Sequence, residues 1–257
     1  GTVVSQTLAA FLVVRCLVKT EASYGIRLRR LRIVKAKLIR ILRIGIPTGV
    51  QGAVFSISNV LIQSAINSFD SSTIVGGNTA SVNIENFVYT AMNAVYQGSL
   101  TFTSQNVGAQ NLKRVKSIFN HSMVLTTLSA MLMGFLVWFF GESLLAFYTS
   151  DPAVVEAGML RLFWVSMFLF LNGILDVFVS SLRGMGYSSL PTIVMLVGIC
   201  GVRLLWLLLI FPMHRTLTTI YLCFPLSWTI TSVVLGFIWL YCYRHMLRTN
   251  GQQAQNA

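Results

Sequence analysis

Apolar runs of about twenty residues recur along the whole chain, and this constrains the fold more than any other feature. A helix of about twenty residues spans the bilayer hydrocarbon, whereas barrel strands would show alternating segments of about ten residues, which are not seen. Mean hydropathy is +0.72, and only 10% of residues are charged. The sequence predicts an all-α membrane protein with a six-helix transmembrane bundle. Its six spans are predicted at roughly 45–67, 82–107, 117–140, 159–181, 191–211 and 217–243.

A shorter apolar run at 1–18 precedes these spans. A signal peptide carries its positive charge before the apolar core, but Arg15 and Lys19 follow the core here. We therefore interpret 1–18 as the end of a preceding transmembrane helix, and expect the chain to begin inside a longer protein. We therefore divide the chain into four segments: the helix end at 1–18, a basic connector at 19–44, the bundle at 45–243 and a cytoplasmic tail at 244–257.

The net charge of +12 is distributed unevenly between the two sides of the predicted bundle. Ten of the 19 Lys and Arg residues lie between Arg15 and Arg43. Six more fall on later loops of the same side, and only Arg161 and Arg215 fall on the other. The positive-inside rule makes the basic side cytoplasmic. It predicts a multi-pass protein of the plasma (inner) membrane with a cytoplasmic connector and C-terminus, and the charge needs no nucleic-acid partner.

The connector itself has a helical repeat of leucines between basic residues, at Leu28, Leu31, Leu38 and Leu42. This pattern is typical of an amphipathic helix that lies on the inner leaflet with its charges at the lipid headgroups. A solvated linker helix is the alternative. Neither interpretation makes it a catalytic element.

Polar side chains form lines along three of the predicted spans. At about 100° per residue, one stripe of the second span holds several of them, with Glu85 at its edge. Lipid cannot bond to such groups, so they are expected to face one another or water. The three stripes consist of Gly52, Ser56, Asn59, Gln63 and Asn67; Asn86, Tyr89, Asn93, Gln97, Thr101 and Ser104; and Asn172, Asp176 and Ser180.

These stripes predict an interior cavity, although amides and hydroxyls between helices also act simply as packing contacts. Its predicted lining is Gln63, Asn86, Tyr89, Asn93, Gln97 and Asn172.

Two acidic residues, Glu85 and Asp176, lie at membrane depth and are the strongest functional candidates. An ionised carboxylate there costs a few kcal/mol, so it is kept neutral, paired or bound to a cation. One alternative is a structural ion pair with Arg203 in the fifth span. The other is cation or proton handling, because a buried carboxyl can load and release a proton and, with amide oxygens, can hold Na⁺.

Enzyme chemistry is not predicted. The sequence contains no HExxH motif and no Ser/His arrangement, and the four cysteines show no metal-site spacing. We expect no cofactor or resident metal beyond a coupling Na⁺ or H⁺.

Five motifs in order resemble multidrug and toxic compound extrusion (MATE) transporters. They are RIGIPTGVQ, GNTASVNIENF, SQNVGAQNLKRVK, TSDPAVVEAG and SLRGMGYSSLP, and together they cover most of residues 40–195. The resemblance implies a two-lobe transporter of twelve helices, of which this chain is the C-terminal lobe. It also implies alternating access, with Na⁺ or H⁺ entering as organic cations or other amphiphilic drugs leave.

The resemblance carries over to site residues only in part. Family members often hold an acid in the fourth span of this lobe, and Asp176 matches that role, with Na⁺ near it. Some members place the acid one turn earlier, where this chain has Asn172, and some use an acid in the first span, where this chain has none. Glu85 is the candidate substitute. The alternative function is a related flippase for lipid-linked saccharides, which should have a larger and more basic cavity.

Overall fold

The computed structural model describes residues 2–20 and 32–255, and within these ranges the regular elements are helices without strands. Residues 21–31 of the connector predicted at 19–44 lie outside the described residues, and they include Leu28 and Leu31. The ten α-helices and three π-helical segments are α1 Thr2–Lys19, α2 Lys35–Asn67, α3 Ser72–Gly108, α4 Leu112–Phe139, α5 Gly141–Ala146, α6 Pro152–Arg161, π1 Leu162–Ser166, α7 Leu169–Gly184, α8 Ser189–Met195, π2 Leu196–Gly201, α9 Val202–Leu205, π3 Trp206–Ile210 and α10 Leu217–Gln255.

The chain divides into two compact units, Gly1–Gly45 and Ile46–Ala257. The first unit holds α1 and the first residues of α2, and its described side chains are almost all exposed. The second unit holds the remaining helices, the buried core and every polar site discussed below.

Five helical segments in the described ranges are long and apolar enough to cross a membrane, with mean hydropathies from 1.3 to 2.6. Their surfaces suit lipid contact because large apolar side chains stay exposed, as Val124, Leu128 and Leu132 do along α4. The five segments are Thr48–Asn67, Leu112–Phe139, Pro152–Gly184, Ser189–Ile210 and Leu217–Arg248. The chain is thus an all-α membrane protein, as predicted.

Helix α3 corresponds to the predicted second span but differs from it in length and character. It has 37 residues and is not among the five apolar segments, since polar residues interrupt its hydropathy. The second span was predicted to begin at residue 82, whereas the helix already begins at Ser72. Ser71 caps it, with its hydroxyl accepting a hydrogen bond from the Ile74 amide at 3.4 Å.

Small residues let the helices of the second unit approach closely, as is common in membrane bundles. The Cα of Gly77 on α3 faces the backbone of α6 so closely that a Cβ would lie 2.6 Å from the carbonyl oxygen of Val154. At Gly173 on α7, a Cβ would meet the side chain of Thr126 on α4 at 2.5 Å. The predicted tail at 244–257 shows no break at its start, because α10 continues to Gln255.

Candidate functional site

A cavity of about 380 Å³ with many polar side chains in its lining opens between α2, α3, α7 and α8. Several side chains that line it can bind a cation or donate hydrogen bonds. The lining consists of Thr48, Gln51, Gly52, Phe55, Tyr89, Asn93, Tyr96, Asn172, Asp176, Val179, Arg183 and Met195.

Asp176 is the one carboxylate in this lining. Its Oδ2 accepts a hydrogen bond from Asn172 Nδ2 at 3.3 Å, one helical turn away. Among the described residues Asp176 takes part in no ion pair within 4.0 Å. The acid therefore lies in a polar hollow with carboxylate, amide and phenol oxygens around it, an arrangement that suits a hard cation.

Arg183 lines the same cavity and is held by three neutral acceptors. Its Nη1 donates to the Tyr96 hydroxyl at 2.8 Å, and its Nη2 donates to Gln51 Oε1 at 2.6 Å and to Thr192 Oγ1 at 3.3 Å. The sharp turn after α7 makes this possible, because Gly186 adopts a φ of +95° that glycine tolerates readily. The chain reverses there and brings Thr192 of α8 beside Arg183.

A second polar cluster lies near the other end of the bundle, where α2 and α6 both end. Arg161 binds Glu85 with two parallel hydrogen bonds, from Nε to Oε1 at 3.0 Å and from Nη2 to Oε2 at 2.8 Å. Both residues are buried. This is the fork geometry of a strong bidentate pair, and it is the one ion pair in the described ranges.

The pair continues as a chain of hydrogen bonds into α2. Arg161 Nη1 donates to Asn78 Oδ1 at 2.8 Å, Asn78 Nδ2 donates to Gln63 Oε1 at 3.0 Å, and Gln63 Nε2 donates to Asn67 Oδ1 at 2.9 Å. Gln63 thus belongs to this cluster and is not part of the cavity lining that was predicted for it. The chain of bonds links α6, α3 and α2.

The predicted partner of the buried acids, Arg203, pairs with neither of them. It is buried, its Nε donates to Ser227 Oγ at 3.2 Å, and its guanidinium lies over the ring of Phe224 at 4.3 Å. The prediction of an ion pair with Arg203 was wrong, because Arg161 occupies both oxygens of Glu85. Arg203 instead rests on aromatic faces, a favourable setting for a guanidinium.

Comparisons with known proteins decide the family. The MatE family model matches residues 47–208, which include the cavity and the second cluster. The chain belongs to the MatE family. Proteins of this family are membrane transporters and not enzymes.

Two relatives of this MatE protein are distant in sequence, and both are named as probable multidrug resistance proteins. A probable multidrug resistance protein NorM of Thermotoga maritima is 26% identical over 164 residues, which cover 64% of this chain and 35% of the relative. A probable multidrug resistance protein YoeA of Bacillus subtilis is 25% identical over 212 residues, covering 79% of this chain and 44% of the relative. The chain thus spans less than half the length of these curated relatives.

A crystal structure of MATE in complex with MaL6 shares the fold with a TM-score of 0.85 at 14% identity. The match covers 96% of this chain and 56% of that one. At this identity the likeness concerns the fold alone, and it agrees with the helical bundle seen here.

The MatE chain brings together some of the predicted site residues and separates others. Tyr89, Asn93, Asn172 and Asp176 line one cavity. Asn86 and Gln97 are exposed on α3, where Gln97 Nε2 donates to Asn93 Oδ1 at 3.4 Å and so lies next to the cavity without lining it. The sequence did not identify Gln51, Thr192 and Arg183 as neighbours of the cavity. The last was interpreted only as a cytoplasmic charge.

Proposed function

We propose that this chain is the C-terminal lobe of a multidrug antiporter that exports organic cations or other amphiphilic drugs in exchange for Na⁺ or H⁺. Membership of the MatE family and the names of both relatives support export of drugs. The chain spans 35% and 44% of those relatives. This supports a further six-helix N-terminal lobe as the partner, with alternating access between the lobes.

The observation that carries the proposal is the unpaired Asp176 in a polar cavity. A carboxylate in a spanning segment is costly and is generally functional when no basic residue neutralises it. Asn172 bonds to the acid at 3.3 Å, and Tyr89 and Asn93 line the same hollow. A proton or a Na⁺ ion that loads Asp176 neutralises it, and release restores the charge. Asp176 thus has the chemistry of a coupling residue.

Glu85 receives a structural role in this proposal, in contrast to the coupling role expected from the sequence. Both of its oxygens accept hydrogen bonds from Arg161 at 2.8 and 3.0 Å. A mobile cation would have to displace a buried guanidinium that has no other carboxylate among the described residues. The pair therefore favours a permanent link between α3 and α6.

The membrane placement follows from charge. The basic connector and the last helix, with exposed Arg244 and Arg248, belong on the cytoplasmic side of the inner membrane by the positive-inside rule. A saccharide flippase would favour a larger, more basic cavity. The cavity of about 380 Å³ holds one acid and one arginine, which favours a cationic or neutral amphiphile.

We expect Asp176→Asn in the full-length protein to reduce ion-coupled efflux by about tenfold or more, since coupling free energies typically correspond to factors of about 5 to 150. The measurement is export of a fluorescent organic cation from proteoliposomes under an imposed Na⁺ or proton gradient. Asp70→Asn is the matched control, because Asp70 is exposed in the turn between α2 and α3. Undiminished coupled efflux by Asp176→Asn at equal protein amounts would refute the assignment.

A further inference from the structure

The two terminal nitrogens of Arg183 are held by groups that carry no charge. Its terminal nitrogens donate to Tyr96 on α3, Gln51 on α2 and Thr192 on α8 at 2.6 to 3.3 Å. Thr192 also donates to Gln51 Oε1 at 3.2 Å, so two of the acceptors are themselves linked. Four helices thus fix the position of one guanidinium.

Arg183 lines the cavity that holds Asp176 without forming an ion pair with it. The two residues are seven positions apart on α7, about two turns or 10.5 Å along the axis, and both line the cavity. A free arginine this near a carboxylate would be expected to form the bidentate pair that both groups favour. Asp176 instead accepts its one described hydrogen bond from Asn172.

We propose that Arg183 is a positioning residue that sets the affinity of Asp176 for the coupling cation. Tyr96, Gln51 and Thr192 hold its charge far enough from Asp176 to leave the carboxylate open, yet near enough to repel an arriving cation. This inference rests on the proposed function of Asp176.

A positive charge on the cavity wall is needed so that the cation bound at Asp176 can be released. A carboxylate in a site of low dielectric binds a cation strongly, and a transport site must also let its ion leave. A fixed positive charge on the same cavity wall raises the energy of the loaded state more than that of the empty one. The acceptors matter as much as the charge, because a released guanidinium would pair with Asp176 and exclude the cation.

A purely structural Arg183 would behave differently. If it served only to tie four helices together, its loss would lower the amount of folded protein and the maximal rate. It would not change the cation concentration that gives half-maximal exchange. That concentration is therefore the decisive quantity.

The test uses the full-length protein in proteoliposomes and titrates Na⁺ and, in parallel, H⁺. We expect Arg183→Gln to lower the half-saturating concentration of the driving ion by about three- to tenfold, as expected for removing a nearby like charge. Arg244→Gln, at an exposed position on α10, is the control with the same change of charge and should leave this concentration unchanged.

Variants of the acceptors should act in the opposite direction. Gln51→Leu and Tyr96→Phe free the guanidinium, and each is expected to raise the half-saturating concentration by about threefold or more. In an Arg183→Gln background neither should have a further effect. This dependence on Arg183 separates the proposal from simple loss of a cavity ligand, and Gln51→Leu alone decides the matter if Arg183→Gln does not accumulate.

The outcomes also separate this inference from the proposed function. If Asp176→Asn abolishes coupling while Arg183→Gln and Gln51→Leu leave half-saturation unchanged, the coupling site stands and the role of Arg183 is refuted. If Arg183→Gln and Gln51→Leu shift the half-saturating ion concentration in the same direction, the proposed role of Arg183 is also refuted. If Asp176→Asn retains coupling, the proposed function itself fails.

Discussion

Arg161→Met is expected to destabilise the protein by about 3–5 kcal/mol, because it leaves Glu85 buried without its counter-charge. Arg161 supplies both hydrogen bonds to that carboxylate and a third to Asn78. The free energy of unfolding, or the thermal midpoint in detergent, measures the loss in the full-length protein.

Two further variants test whether the unpaired charge of Glu85 causes the loss of stability in Arg161→Met. The double variant Glu85→Leu, Arg161→Met removes both charges, and replacing a buried pair by apolar residues is often nearly neutral. It should be more stable than Arg161→Met alone, although Asn78 still loses a partner. Arg203→Met should cost less than Arg161→Met, since Arg203 pairs with no carboxylate among the described residues. Equal stability of the single and double variants would contradict this explanation.

Gly77→Ala is the second change with a large expected effect. A Cβ at this position would lie 2.6 Å from the carbonyl oxygen of Val154 and 2.7 Å from the amide nitrogen of Gly158. Both atoms belong to the α6 backbone, which cannot rotate aside as a side chain can. We expect a loss of about 1–3 kcal/mol or more through overpacking, visible as a lower thermal midpoint.

The neighbouring glycine provides a matched control on the same turn of α3. A Cβ at Gly76 would meet only a methyl carbon of Val154, at 3.4 Å, which is ordinary contact. Gly76→Ala should be neutral or slightly stabilising, because alanine favours the helix by about 1 kcal/mol. If Gly77→Ala and Gly76→Ala have the same thermal midpoint, α6 does not pack against α3 at Gly77 as closely as these distances indicate.

The membrane class and most of the spans could be predicted because hydropathy is a property of single segments. Predicted spans such as 191–211 match their helices closely. The start of α3 could not be located in the same way. Its first turns are rich in small and polar residues that look like a loop in isolation, and they are helical because Gly77 and Ser81 pack against α6.

The candidate site was predicted only in part, because sequence periodicity describes one helix at a time. Periodicity placed Asn172 and Asp176 on one face of a helix, and the cavity confirms that they lie together. Periodicity does not say how one helix is rotated against another, so Arg203, and not Arg161, was considered as a possible ion-pair partner. Arg161 was counted among the charges of the outer side because it lies at the start of the predicted span 159–181, and only tertiary contact buries it.

The cluster at the end of α6 has an electrostatic consequence for the cation that we propose to bind at Asp176. Arg161 and Arg203 are both buried there, and Glu85 balances only one of them. This leaves a surplus positive charge in a medium that screens it poorly. For the cation that we propose to bind at Asp176, movement toward that end is electrostatically unfavourable and movement away from it is favourable.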